Sequence, residues 1–130
     1  MTLRALDDDA LHGSTLRVAL PWIRSMPLAC VRDLTVEVDG APVGTTVLLC
    51  DRRVAPAALT DETAWWYLQD RLVLELPPLA DGAHRIQVAF QLEVPYLSAG
   101  PDGPLRLPLR DVRDLTAGPA AHRLASRDVA

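Results

Sequence analysis

"RIQVAFQLEV", Arg85 to Val94, alternates without interruption: Ile86, Val88, Phe90, Leu92 and Val94 are apolar, Arg85, Gln87, Gln91 and Glu93 are polar, and Ala89 is small. Successive side chains of a strand point to opposite faces, so this period of two describes a strand with one buried and one wet face. Half-wet strands belong to antiparallel sheets. The same period recurs on both sides. Leu16, Val18 and Leu20 alternate with Arg17 and Ala19, and Leu34, Val36 and Val38 alternate with Asp33, Thr35, Glu37 and Asp39. Asp39-Gly40 is a hairpin signal, after which Val43, Val47 and Leu49 read as a third segment and Leu72, Leu74 and Leu76 as a fourth.

No amphipathic helix separates these segments, which predicts an all-β fold, an antiparallel β-sandwich. Residues 51–70 form a long irregular excursion, with room for a helical turn or two within Pro56 to Tyr67 and Thr60 as its candidate N-cap. Prolines 95, 104 and 108 confine any final strand to an edge. The expected organisation is a leader over 1–14, the sandwich domain over 15–110, and a tail over 111–130 holding at most one edge strand before it frays. The aspartates at 7–9 read as part of a solvated leader.

Composition narrows the classes. At 130 residues, 49% hydrophobic and 23% charged, the chain has the make-up of one globular domain with a real core. A net charge of −4, with arginines dispersed among aspartates, argues against nucleic acid as a partner. No apolar run approaches the roughly 20 residues that span a bilayer, and "MTLRALDDDA" lacks the apolar core of a secretory signal. The expected localisation is cytoplasmic, with no membrane partner, and Cys30 and Cys50 are expected to be buried free thiols.

Chemistry-bearing patterns are sparse. His12, His84 and His122 lack the spacing of metal ligands, and no nucleophile elbow, P-loop or dinucleotide fingerprint occurs. Asp33, Glu37, Asp39 and Glu93 fall on the wet strand faces, and His84 on the polar side of a strand. No catalytic, cofactor-binding or metal-binding residue is assigned in this chain.

Apolar residues concentrate instead where strands are not expected. Pro21-Trp22-Ile23-Arg24-Ser25-Met26-Pro27 is a proline-bracketed bend, and Trp65-Trp66-Tyr67 places three aromatics in a row. Connections are ordinarily built from Gly, Asn, Asp and Ser, whereas interface cores are enriched in Trp, Tyr, Met and Arg. Trp65 and Trp66 cannot both enter one core from a strand. The candidate partner-interface or site-entrance residues are therefore Pro21, Trp22, Ile23, Arg24, Met26, Trp65, Trp66 and Tyr96.

At these residues the chain resembles a family. "RVALPWIRSMPLACVRDLTVEVDG", "TAWWYLQDRLVLELP" and "GAHRIQVAFQLEVPYL" are together similar to the small β subunit of bacterial C-glycoside deglycosidases. That family carries a Pro-aromatic-x-Arg bend before a Pro-Leu and a "DLxVxVDG" strand, a Trp-Trp before a leucine-rich strand, and a Gly-x-His strand ending in Pro-Tyr. The match runs from about Arg17 to Leu97.

The resemblance implies a non-catalytic subunit of a lyase complex. Its partner would be a sugar-isomerase-like TIM-barrel α subunit, with a higher hetero-oligomer expected, and the divalent metal, manganese on this resemblance, would sit in that α subunit together with the acid/base residues. The substrate would be a 3-oxo-C-glycoside, whose C3 ketone acidifies the C2 proton; deprotonation gives a metal-stabilised enolate and the aglycone, a flavonoid or similar, leaves from C1. Arg24 would tip the bend toward an α-subunit carboxylate or toward the substrate. Two rival classes remain: a stand-alone carbohydrate-binding module in which Trp65 or Trp66 stacks on a pyranose, and a small enzyme using a carboxylate pair from the sheet.

Overall fold

The computed structural model describes residues 4–7, 10–20, 25–49, 52–98, 103–117 and 127–128. The alternating segments become strands: β1 (Leu11–His12), β2 (Thr15–Ala19), β3 (Met26–Pro27), β4 (Val31–Val38), β5 (Ala41–Val43), β6 (Thr46–Leu49), β7 (Arg52–Val54), β8 (Trp65–Trp66), β9 (Asp70–Glu75), β10 (Gly82–Ser98), β11 (Pro104–Ala117) and β12 (Arg127–Asp128). One sheet runs β1-β2-β9-β6-β7 with β12 beside β9; a second, four-stranded sheet runs β11-β10-β4-β5; β3 and β8 pair separately. All pairs are antiparallel except β12 with β9. Leu16, Val18, Leu72, Leu74, Val47 and Leu49 from one sheet meet Val36, Val38, Ile86, Val88, Phe90 and Leu92 from the other in a single core. The fold is the antiparallel β-sandwich that the period of two predicts.

Three local features differ from the periodicity. Val43, Val47 and Leu49 do not share one strand: β5 ends at Val43 in the four-stranded sheet and β6 begins at Thr46 in the other, with Gly44-Thr45 crossing between layers. An even spacing keeps the same face inward on both sides of the crossing, so periodicity cannot register it. In β4, Arg32 and Asp33 both stay outside the core between buried Val31 and Leu34. Asp33 takes φ 55°, and the β10 register slips between Ala89 and Gln91. This is a β-bulge, one extra residue against the partner strand. The excursion holds β7, a 3-10 helix over Pro56–Asp61 and β8; Pro56, not Thr60, opens the helix, because its fixed φ suits the first turn.

The expected leader is structural. Ala5, Leu6, Ala10 and Leu11 are buried, and the reason lies in β11. Its alternation turns Leu109, Asp111, Arg113 and Leu115 toward the interior, an unfavourable place for two charges unless they are paired. The Asp111 carboxylate accepts the backbone N–H groups of Ala5 (2.9 Å) and Leu6 (2.8 Å), and Arg113 donates to the Leu6 carbonyl (3.1 Å). The Ala5 carbonyl in turn accepts the Ala19 N–H of β2 at 2.8 Å. The N-terminal segment thus bridges the two sheets. Asp7 pairs with Arg71 at 2.5 Å, while Asp8 and Asp9 lie outside the described residues, as does Cys50. β11 is an edge strand and runs through the expected 110/111 division to Ala117.

At the other end of the four-stranded sheet, Asp39 (φ 52°) clasps the start of β10. Its carboxylate accepts the Arg85 N–H at 2.9 Å and the His84 Nδ1–H at 2.7 Å, and His84 Nε2–H donates to the Ala80 carbonyl at 2.6 Å. Both acceptors lack a proton to give, so only the protonated ring makes the two bonds together. The Ala80 carbonyl, then Asp39, raises the His84 pKa above 6.5; the His84 bond, then the Arg85 N–H, lowers Asp39 below 3.8.

Two outcomes follow. Asp111→Ala leaves two backbone N–H groups without their acceptor and is expected to cost about 2 kcal/mol in urea denaturation, with Asp111→Asn milder. The His84 contribution is full below 6.5 and is lost as pH rises through the raised value, while that of Asp39 is present above 3.8 and lost as pH falls through the lowered value. Thermal melts of His84→Asn should therefore fall furthest below wild type near pH 5.5, with the gap narrowing as pH rises above 6.5.

Candidate partner-docking surface

β8 decides which tryptophan faces outward. It pairs antiparallel with β3, Met26 opposite Trp66 and Pro27 opposite Trp65. Trp66 is fully buried, its Nε1–H donating to the Asp70 carbonyl at 3.1 Å and its ring tilted 40° against Phe90 at 5.9 Å. Once Trp66 points in, the pleat turns Trp65 out. Trp65 is 45% exposed, and its ring stacks on that of Tyr67, 48% exposed, at 6.4 Å and 22°. Leu68 is 46% exposed beside them.

The end of the proline-bracketed bend and the chain just after it are built into the same unit. Leu28 N–H donates to the Ala64 carbonyl at 3.0 Å, and Ser25 Oγ accepts the Leu68 N–H at 2.9 Å. The excursion is drawn back to this point by Leu59, buried within the 3-10 helix, and by Arg52, whose guanidinium grips Glu62 at 2.6 and 3.3 Å. Two stretches that stand forty residues apart in sequence, Ser25–Leu28 and Ala64–Leu68, therefore present one surface.

Of the residues singled out from sequence, Met26 and Trp66 belong to the core and offer no surface, while Trp65 is exposed. Pro21, Trp22, Ile23 and Arg24 lie outside the described residues. Tyr96 falls in β10, but its side chain is likewise outside the description. Tyr67 and Leu68 complete the surface and were not among the candidates. The signal for Tyr67 was present: it stands two residues from Trp65, on the same side of an extended chain. Nothing in the sequence marks Leu68 as exposed; it sits in a turn closed by the Asp70 N–H on the Tyr67 carbonyl at 2.9 Å.

Elsewhere the polar groups serve the sheet. Along the outer face of the four-stranded sheet Glu93 is held between Arg32 (2.9 Å) and Arg106 (3.5 Å), Glu37 accepts from Gln87 (2.6 Å), and Asp114 faces Arg85 (3.3 Å). These are cross-strand pairs on a solvated face. The buried Cys30 thiol is pushed up first by desolvation and then by Glu93, which keeps it protonated and a poor nucleophile. Among the described residues no three His, Cys, Asp or Glu side chains converge as a metal site, and no helix is long and apolar enough to cross a membrane.

No family model matches the chain. The 3'-dehydrocarminate deglycosidase β subunit of a Microbacterium species is 34% identical over 117 residues, which cover 81% of this chain and 87% of that protein. The chain belongs to the C-glycoside deglycosidase β-subunit family. Two further relatives agree with this placement. The C-glycoside deglycosidase β subunit of Arthrobacter globiformis is 32% identical over 91 residues, 65% of this chain and 70% of that protein, and that of Microbacterium trichothecenolyticum is 28% identical over 90 residues, 65% and 69%.

The two tryptophans should separate cleanly by denaturation followed in the far-ultraviolet. Trp66→Ala empties a fully buried site and is expected to cost about 3–5 kcal/mol, whereas Trp65→Ala should stay within about 1 kcal/mol of wild type.

Proposed function

We propose that this chain is the non-catalytic β subunit of a heteromeric C-glycoside deglycosidase, and that Trp65, Tyr67 and Leu68 are where it meets its larger α subunit. Family membership supports the subunit role. The observation that carries the choice of surface is the stacked, exposed pair of rings. Covering the open halves of both removes roughly 200 Å² of largely apolar surface from water, a gross gain of about 5 kcal/mol. Exposed Trp and Tyr beside a leucine are the residue types from which interface hot spots are made. The bend from Pro21 to Arg24 leads directly into Ser25, and Arg24 is proposed as the polar contact beside the apolar one.

On this proposal the α subunit is a TIM barrel that supplies the acid/base groups and the divalent metal. The reaction is a carbon–carbon lyase step on a 3-oxo-C-glycoside. The C3 ketone acidifies the C2 proton, and after its removal the electron pair returns to form the sugar double bond while the aglycone leaves C1 and its ring carbon takes a proton. The β subunit seats the barrel and shapes the approach to its site. In support, the outer-face carboxylates Glu37 and Glu93 are committed to cross-strand partners.

A second proposal rests on the same rings: an exposed Trp65 face suits stacking on a pyranose in a stand-alone carbohydrate-binding module. Copurification with the co-expressed α subunit separates the two. Trp65→Ala is expected to weaken assembly by about 30-fold, the effect of a 2 kcal/mol hot spot, and titration of the isolated chain with plain glycosides should release no heat. A Trp65→Ala chain that assembles as well as wild type removes this surface from the interface, and Trp65-dependent glycoside binding moves the assignment to the module.

A further inference from the structure

β11 is the long edge of the four-stranded sheet, and its backbone parity can be read from two independent contacts. On the β4 side of β10, the Arg85 carbonyl accepts the Asp39 N–H at 2.8 Å. Odd-numbered residues of β10 therefore turn their backbone groups to β4, and even-numbered ones to β11. Through the register Ile86↔Arg113, Val88↔Asp111 and Phe90↔Leu109, the odd-numbered residues of β11 exchange hydrogen bonds with β10. Pro108, opposite Gln91, agrees: without an N–H it fits where the amide faces away from the neighbour. Arg110, Val112, Asp114 and Thr116 thus aim their backbone groups at the open edge, where no backbone bond reaches them among the described residues.

The side chains on this edge are Arg110-Asp111-Val112-Arg113-Asp114. Reversed, the order of charges becomes its own complement. Laid antiparallel on an identical strand about a two-fold at Val112, Arg110 of one copy stands opposite Asp114 of the other, and Asp111 opposite Arg113. Moving the centre to Arg110 or Asp114 sets like charges against each other. Asp111 and Arg113 hold the N-terminal segment inside, so the outer-face pair is the one available. Asp114 meets Arg85 only loosely, at 3.3 Å with both side chains 68% exposed. Arg110 touches Gln87 in an exposed contact at 3.1 Å. Val112, at the centre, is 43% exposed, a large apolar residue on a mostly polar face. Edge strands are ordinarily guarded against pairing by charge; here the arrangement of signs favours pairing about Val112.

We propose that β11 pairs with β11 of a second copy of this chain, antiparallel about Val112, joining two four-stranded sheets into one of eight strands. Val112 meets its counterpart in a hydrogen-bonded pair, two Arg110–Asp114 pairs flank it, and each Thr116 N–H can donate to the other copy's Pro108 carbonyl. This contact uses an element separate from Trp65, Tyr67 and Leu68 and stands whether or not the deglycosidase proposal holds.

The test is the mass of the full-length chain by sedimentation velocity and native mass spectrometry, alone and in its copurified complex. The expected result is a species of twice 14.2 kDa for the chain alone, and paired copies of it in the complex. Arg110→Asp and Asp114→Arg each place like charges across both flanking pairs and should weaken dimerisation about 10-fold or more. The charge-swapped double variant should recover affinity to within about 3-fold of wild type. Where the charge variants fold poorly, Val112→Cys with Cys30 and Cys50 changed to Ala gives a second measure. A hydrogen-bonded antiparallel pair spaces Cα atoms about 5.5 Å, within disulfide reach, so oxidised glutathione should link Val112→Cys dimers faster than Arg106→Cys ones. A monomeric wild type, single variants as dimeric as wild type, a double variant that stays weak, or equal linking at 112 and 106 would each overturn the proposal.

Discussion

The burial of Trp66 is the constraint on which the working surface depends. Its ring lies between the layers against Phe90, and its indole N–H is satisfied by the Asp70 carbonyl, so it ties β8 and the start of β9 to the opposite sheet. A large ring with its one donor paired costs nothing in unsatisfied polarity and contributes full apolar burial. Because side chains alternate, the same commitment turns Trp65 to solvent and leaves Tyr67 on Trp65's side. The exposed pair is the geometric consequence of the buried ring, and β3 fixes its neighbourhood by pairing Met26 with Trp66.

The second organising interaction is electrostatic. Asp111 and Arg113 point inward from an edge strand, where they are tolerable because the backbone of Ala5 and Leu6 supplies donors and an acceptor. The N-terminal segment is thereby held between β11 and β2, and closes one side of the sandwich with Ala5 and Leu6. Cross-strand pairs over the outer face of the four-stranded sheet, by contrast, lie in or near solvent. Such pairs set register and solubility more than stability. The fold thus rests on an apolar interior, one partly buried charged clasp, and a polar face that leaves few carboxylates uncommitted.

Much of the architecture was legible in the chain before its structure. Ile86, Val88, Phe90, Leu92 and Val94 are buried as their spacing requires, as are Leu16 and Val18, Val36 and Val38, and Leu72 and Leu74. What escaped notice did so for three reasons. The layer crossing at Gly44-Thr45 preserves the period; Leu6 sits in a short polar-looking segment with no period to read; the bulge at Asp33 breaks the period by a single residue. Of the candidate surface, only the presence of surplus aromatics was legible. Met26 looked like an interface anchor and is core, and Leu68 carried no signal at all.

The sequence by itself determined the sandwich, since alternation states which residues face the interior and one buried face per strand demands a second layer to cover it. It also determined that some apolar side chains exceed what the strands can bury on one face, because consecutive Trp65 and Trp66 cannot point the same way. Only the tertiary structure decided which of them is inside: the choice belongs to the long-range pairing of β8 with β3 and to a site beside Phe90 that fits one ring. Contacts between residues far apart in the chain leave no period behind, and so the placement of Ala5 and Leu6 over β11, the joining of Ser25 to Leu68 and the outward face of Trp65 appear only when the layers close.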